Sequence, residues 1–221
     1  MTLTGPSVAP VSGVAKQLVI LCHGYGSDGN DLISLAPYWQ KLLPDAAFIA
    51  PNAPQRCDGN PMGYQWFPIS RLDPSEIALG VTAAAPLLDR FIDEQLRQRG
   101  LDGSQLALVG FSQGTVMALH LGLRRAVAPA AVLGYSGGLV GADRRSSEIT
   151  SKPPVMLVHG EQDDLAPLYG MMTSVKALTE AGVACQGIPI PGLGHAVDAN
   201  ALIYGARFLL SAFAYREKHG V

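Results

Sequence analysis

The sequence predicts an α/β fold, a mostly parallel central sheet with helices on both faces. Three observations predict it. Short apolar runs of strand length alternate with segments of helical spacing. The runs are continuously apolar, as in strands covered on both sides. Glycine-rich segments follow several of the runs, at the carboxyl ends where ligand sites of such sheets lie.

Taken in order, residues 1–15 are rich in Pro, Ser, Gly and Val and are expected to form a flexible N-terminal lead-in. Residues 16–221 are expected to form one domain. Residues 17–24, QLVILCHG, predict the first strand, 30–43 a helix, and 46–51 a second strand. The clearest helix is 74–99. Asp73 can cap it, Pro74 suits its first turn, and Glu76 stands three residues after the cap. Ile77, Val81, Ala84, Leu88, Phe91, Ile92 and Leu96 recur at three- and four-residue steps, and Gly100 is a natural stop. Pro86 inside this pattern is expected to kink or split it. Strands follow at 105–110, 130–137, 154–160 and 183–190, with helices at 168–181 and about 198–216. Crossovers between parallel strands are expected to be right-handed.

Composition narrows the function. The 221 residues are 48% hydrophobic and 15% charged, which fits a packed globular protein and argues against disorder. A net charge of −2 offers no basic excess for phosphates, so nucleic acid is not an expected partner. The first residues lack a basic segment followed by an apolar one, and no apolar run reaches the roughly 20 residues that span a bilayer. Cys22, Cys57 and Cys185 are odd in number, widely spaced and without a zinc pattern. Reduced thiols in a cytoplasmic protein are the simplest reading.

The chemistry is carried by Gly110-Phe111-Ser112-Gln113-Gly114, a match to G-x-S-x-G. Five residues alone are a weak signal. Here an apolar strand precedes them and a helical pattern follows, which is the context a nucleophile elbow needs: glycines let strand and helix approach closely, and the serine stands exposed at the helix head. A serine hydroxyl needs a base, and the base an orienting acid, in the chain order Ser, Asp or Glu, His. His195 supplies the base in the loop PGLGHAV. A surface loop histidine is the plainer reading of that residue. Glu161, Asp163 and Asp164 crowd one loop after a strand, and spacing does not choose among them. His159, directly after the strand core, is expected to shape that loop, while His120 and His219 lie on helix and tail. An oxyanion is expected to rest on the backbone N–H groups of Gln113, in the elbow, and Tyr25, in His23-Gly24-Tyr25-Gly26.

With these residues in place, the sequence resembles the acyl-protein thioesterase, or phospholipase/carboxylesterase, family of α/β-hydrolases. The resemblance runs through LCHGYGSDGND, PNAPQ, QWFPI, LVGFSQGTVMALH, HGEQDDLAP and PGLGHAV, over about residues 18–214. It implies an α/β-hydrolase fold with little or no cap domain, and a serine hydrolase of carboxylic esters or thioesters working through an acyl-enzyme. Position by position it implies Ser112 as nucleophile, Asp163 as acid, His195 as base, and the amides of Tyr25 and Gln113 as oxyanion donors. It implies no metal or organic cofactor, a small-molecule, lipid or acylated-protein substrate, and is compatible with a homodimer. Three departures stand out: Pro68 replaces the family's Asp after Trp-Phe, Ala166 its Val before proline, and Thr115 its second glycine after the elbow Gln.

The aromatic-rich loop 56–73 connects sheet to helix, and Trp66, Phe67 and Leu72, with Leu165, are expected to line an acyl cleft. Packing of the loop to the body is the equal alternative. A serine peptidase or lactone hydrolase on the same fold, and a non-catalytic hydrolase-like binding protein, are the rival functions.

Overall fold

A computed structural model describes residues 2–70, 73–140 and 146–220. The strands are β1 (Ser7–Val8), β2 (Gln17–Cys22), β3 (Ala46–Ile49), β4 (Gln55–Arg56), β5 (Tyr64–Gln65), β6 (Leu106–Phe111), β7 (Ala131–Tyr135), β8 (Val155–Gly160) and β9 (Cys185–Ile190). The α-helices are α1 (Gly29–Ile33), α2 (Ala36–Trp39), α3 (Pro74–Arg99), α4 (Gln113–Gly122), α5 (Leu168–Glu180) and α6 (Ala199–His219). Seven strands form one sheet in the order β1-β3-β2-β6-β7-β8-β9. Only β1 is antiparallel to its neighbour.

Side-chain alternation along each strand divides the core in two. Leu18, Ile20 and Cys22 of β2 point to one face, where α3, α4 and α5 bring Leu88, Ile92, Met117, Leu119, Met171 and Leu178. Val19 and Leu21 point to the other, covered by α1, α2 and α6 through Leu32, Trp39, Leu209 and Phe213. Both faces are dry, which is why the strands read as unbroken apolar runs.

Three expectations change. The lead-in is not loose: Ser7 pairs with Ile49 and Val8 with Phe48. The amides of Ala50 and Asn52 donate to the carbonyls of Pro6 and Thr4 at 3.0 and 2.8 Å, and Leu3 is buried. Gly5 permits the approach, since a Cβ there would lie 2.0 Å from the Ala50 oxygen. A two-residue edge strand carries too short a pattern to be read among Pro, Ser and Gly. The helix expected over 30–43 is two short helices, because Pro37 lacks the N–H a continuous helix would need. Conversely α3 runs unbroken through Pro86, its long apolar stripe held on the sheet.

The α3 ends are as the sequence implies. Asp73 accepts from the Ser75 amide, and Gly100 closes the helix at φ 65°. Because β2, β6, β7 and β8 run parallel in adjacent register, their carboxyl ends share one edge of the sheet. The segments after them are thereby gathered on that edge.

Candidate active site

Ser112 follows β6 and heads α4, with φ 52° and ψ −116°. A non-glycine residue in this region costs about 1–3 kcal/mol and persists only where its surroundings enforce it. They do so here. A Cβ on Gly114 would lie 1.8 Å from the Cys22 oxygen, and one on Gly110 would lie 2.3 Å from the Gly114 oxygen. The two glycines therefore let α4 press against β2 and β6, and the chain has no room to relax at Ser112. The Ser112 amide is tied to the Tyr135 carbonyl at 2.9 Å. The hydroxyl is left at the amino end of α4, where the helix dipole favours negative charge.

Thr115, a departure from the family pattern, is buried beneath the elbow. Its hydroxyl lies 2.9 and 2.8 Å from the carbonyls of Gly110 and Tyr135. The branched side chain fits because Gly134 and Gly137 face it; a Cβ on either would meet Thr115 at 2.4 or 2.7 Å.

Of the three acids in the loop after β8, the structure brings Asp163 to His195. Oδ2 of Asp163 lies 2.8 Å from His195 Nδ1. Oδ1 accepts from the amides of Leu165 and Ala166 at 3.1 and 2.8 Å. Glu161 and Asp164 are exposed. His159 Nε2 lies 2.5 Å from the Ala166 carbonyl and 3.2 Å from Asp163 Oδ2, so it braces the acid loop as expected from its position. Burial pushes the Asp163 carboxyl toward its neutral form. The Ala166 amide, the His195 hydrogen bond and the charges of His195 and His159 outweigh it and hold the group below its ordinary value.

His195 comes from the loop after β9. Gly160 allows that loop to sit directly on the end of β8, since a Cβ there would lie 2.2 Å from the Leu193 oxygen. Gln162 N–H donates to the same oxygen at 2.8 Å. The imidazole packs against Phe111, the residue before Ser112, at 4.9 Å between ring centroids. With Nδ1 committed to Asp163, Nε2 is the nitrogen available to take a proton.

Ser112, His195, Tyr25, Gln113 and Leu165 all border one cleft of about 550 Å³. Gly24 lies close beside Ser112: a Cβ there would be 3.4 Å from the Ser112 Cβ. One wall is apolar, made of Phe67, Ile69, Ile77, Val116, Leu139 and Val140. Phe67 and Leu165 both border this cleft, and Leu165 is exposed. Leu72 lies outside the described residues. Trp66 requires correction: it is buried away from the cleft lining, and its indole N–H donates to the His23 carbonyl at 2.9 Å.

Sequence reasoning missed the side chain of Gln113. Its Oε1 accepts from the Trp66 amide at 2.9 Å, and its Nε2 donates to the Phe67 carbonyl at 2.8 Å. The residue after Ser112 thereby clasps the loop that contributes Phe67 and Ile69 to the apolar wall. A polar side chain behind the elbow, at a position facing the core, was the available signal. Ile77 and Val116, read only as helix-stripe and helix residues, also reach the cleft.

The chain is similar to known proteins over most of its length. The profile described as Phospholipase/Carboxylesterase matches residues 3–210. The chain belongs to the phospholipase/carboxylesterase family. It is 27% identical over 188 residues to the esterase YpfH of Escherichia coli (strain K12), covering 85% of this chain and 79% of that one. It is 29% identical over 206 residues to acyl-protein thioesterase 1 of Gibberella zeae, covering 86% and 88%. Among solved structures, esterase PE8 superposes with a TM-score of 0.93 at 42% identity, covering 96% of this chain and 100% of that one. SOBER1 of Arabidopsis thaliana, at 22% identity and a TM-score of 0.74, shares the fold. This phospholipase/carboxylesterase family member is accordingly a hydrolase acting on ester bonds. Among the described residues no helix is long and apolar enough to cross a membrane, and no cluster of three or more His, Cys, Asp or Glu could hold a metal ion.

Proposed function

We propose that the chain cleaves carboxylic esters and thioesters of acyl chains through an acyl-enzyme on Ser112. The observation that carries this reading is the forced conformation of Ser112 on a cleft shared with His195, whose Nδ1 is held by Asp163. Ser112 attacks the acyl carbonyl while His195 Nε2 takes its proton. The tetrahedral oxyanion rests on the amides of Tyr25 and Gln113. His195 returns the proton to a leaving alcohol, or assists departure of a thiolate, and the acyl group stays on Ser112. Water activated by His195 then releases the acid. Asp163 keeps Nδ1 protonated, so that Nε2 is the basic nitrogen, and stabilises the imidazolium as it forms.

The acyl chain lies along Phe67, Ile69, Ile77 and Val116, apolar surface at one side of the nucleophile. Small-molecule, lipid and acylated-protein esters share the carbonyl and chain that this site would engage. A cytoplasmic location is part of the proposal; it fits the three free thiols. The test is turnover of matched ester and thioester series of increasing chain length by wild type and Ser112→Ala. Loss of several orders of magnitude in the variant, with folding intact, is expected. Turnover unchanged by the substitution would end the proposal.

A further inference from the structure

His23, which directly follows β2, is fully buried beside the nucleophile. Both of its ring nitrogens are engaged. Nδ1 lies 2.8 Å from the carbonyl oxygen of Gly24, and Nε2 lies 3.0 Å from the backbone nitrogen of Ala53. A carbonyl can only accept and an amide N–H can only donate, so these partners select one tautomer: Nδ1 carries the hydrogen and Nε2 is bare. Burial lowers the affinity of the ring for a second proton, in keeping with a neutral imidazole.

The partner at Nδ1 matters because of what lies across the same peptide. The carbonyl of Gly24 and the N–H of Tyr25 belong to one planar unit and point in opposite directions. Fixing the carbonyl toward the His23 ring fixes the N–H away from it. That peptide lies against the elbow, where Gly24 approaches Ser112 closely enough that a Cβ would be 3.4 Å from the serine Cβ. The loop has a glycine on each side of Tyr25, Gly26 at φ 79°, and so has little intrinsic preference for one peptide orientation. The preceding peptide is pinned separately, by the Trp66 indole on the His23 carbonyl at 2.9 Å.

We infer that His23 is a positioning residue: its neutral imidazole, braced by the Ala53 amide, holds the Gly24–Tyr25 peptide so that the Tyr25 N–H faces the developing oxyanion. The inference rests on the proposed acyl-enzyme mechanism. Preorganised donors act by being already aimed when charge develops, so a free peptide should cost rate and leave substrate binding nearly as it was.

The experiment compares His23→Phe, His23→Asn and His23→Gln with wild type. The asparagine amide can occupy the Nδ1 position and donate to the Gly24 carbonyl; the glutamine amide reaches the Nε2 position instead. A fluorophosphonate probe counts active sites, and kcat is expressed per labelled site, so loss of folded protein does not masquerade as loss of rate. His23→Phe and His23→Gln are expected to lose about 10- to 100-fold in kcat per site, less than deletion of a whole donor. KM should stay within about threefold, and His23→Asn should recover most of the rate. Affinity for a trifluoromethyl ketone, whose hemiketal adduct with Ser112 carries the oxyanion, should weaken in step with kcat. If Phe, Asn and Gln variants all keep wild-type kcat per labelled site, or if Gln retains as much rate as Asn, the inference is overturned. If the Phe variant does not fold, the Asn and Gln pair decides by the same criteria. A wild-type protein that takes no label and hydrolyses no ester or thioester would instead overturn the mechanism on which the inference stands.

Discussion

His195 Nδ1 sits 2.8 Å from Asp163 Oδ2, while the other carboxylate oxygen is held by the amides of Leu165 and Ala166. The acid is thus oriented by its own loop before it orients the imidazole. Asp163→Asn keeps the size and removes the charge. An amide that donates toward Nδ1 selects the wrong tautomer and leaves Nε2 protonated, so kcat is expected to fall by about 10³- to 10⁴-fold. Hydrolysis of a chromogenic short-chain ester measures it. A loss under about tenfold would show that Asp163 is not the orienting acid.

The same carboxyl gives a dependence of stability on pH. Its folded-state value lies below the ordinary one, burial being outweighed by the Ala166 amide and the two histidines. A depressed carboxyl adds stability that is complete above the unfolded value of about 3.9 and lost as pH falls through the lower folded value. Asp163→Asn lacks this contribution at every pH. The stability of wild type relative to the variant, from urea unfolding, is therefore expected to shrink as pH drops below about 4. A difference that stays constant through this range would contradict the assignment.

Gly114→Ala is expected to be far more damaging than a surface change. The added Cβ would stand 1.8 Å from the Cys22 carbonyl oxygen, and backbone on both sides cannot yield as a side chain could. Destabilisation by about 3 kcal/mol or more is expected, with loss of activity in whatever protein still folds. The urea midpoint and the yield of labelled active site check both parts.

Gln113→Leu tests the clasp between elbow and wall. It keeps the backbone N–H of residue 113 and removes both side-chain bonds to Trp66 and Phe67. Two buried backbone groups lose their partners, at about 2 kcal/mol in all after local rearrangement. Because Phe67 borders the apolar wall, KM for long-chain esters is expected to rise more than KM for acetate esters. Equal effects across chain length would show that the clasp does not shape the acyl side.

Much of this arrangement was legible in the sequence, for identifiable reasons. The strand runs could be read because β2, β6, β7 and β8 are dry on both faces and carry no competing pattern. Ser112 and His195 could be read because turn chemistry around them is written in glycine: Gly110 and Gly114 flank the one, and Gly192 and Gly194 precede the other. Asp163 could not be chosen from Glu161 and Asp164 by spacing, since the choice depends on which carboxylate the Leu165 and Ala166 amides turn inward. Trp66 reads equally as a cleft residue or as one that packs the loop to the body, because an aromatic loop residue has no local mark to say that its N–H will find the His23 carbonyl. Gln113 was read through its backbone alone, and its side-chain bonds run to residues 46 and 47 positions away. Long-range hydrogen bonds of this kind leave no periodic trace. The β1 edge was hidden for a simpler reason, its length of two residues.

The central claim is that Ser112 is the nucleophile. Incubating the protein with a fluorophosphonate, then mapping the adduct by peptide mass spectrometry, tests it most directly. One adduct per chain on Ser112, abolished in Ser112→Ala while that variant keeps its fold, is the expected result. Labelling at another residue, or none on folded wild-type protein, would contradict it.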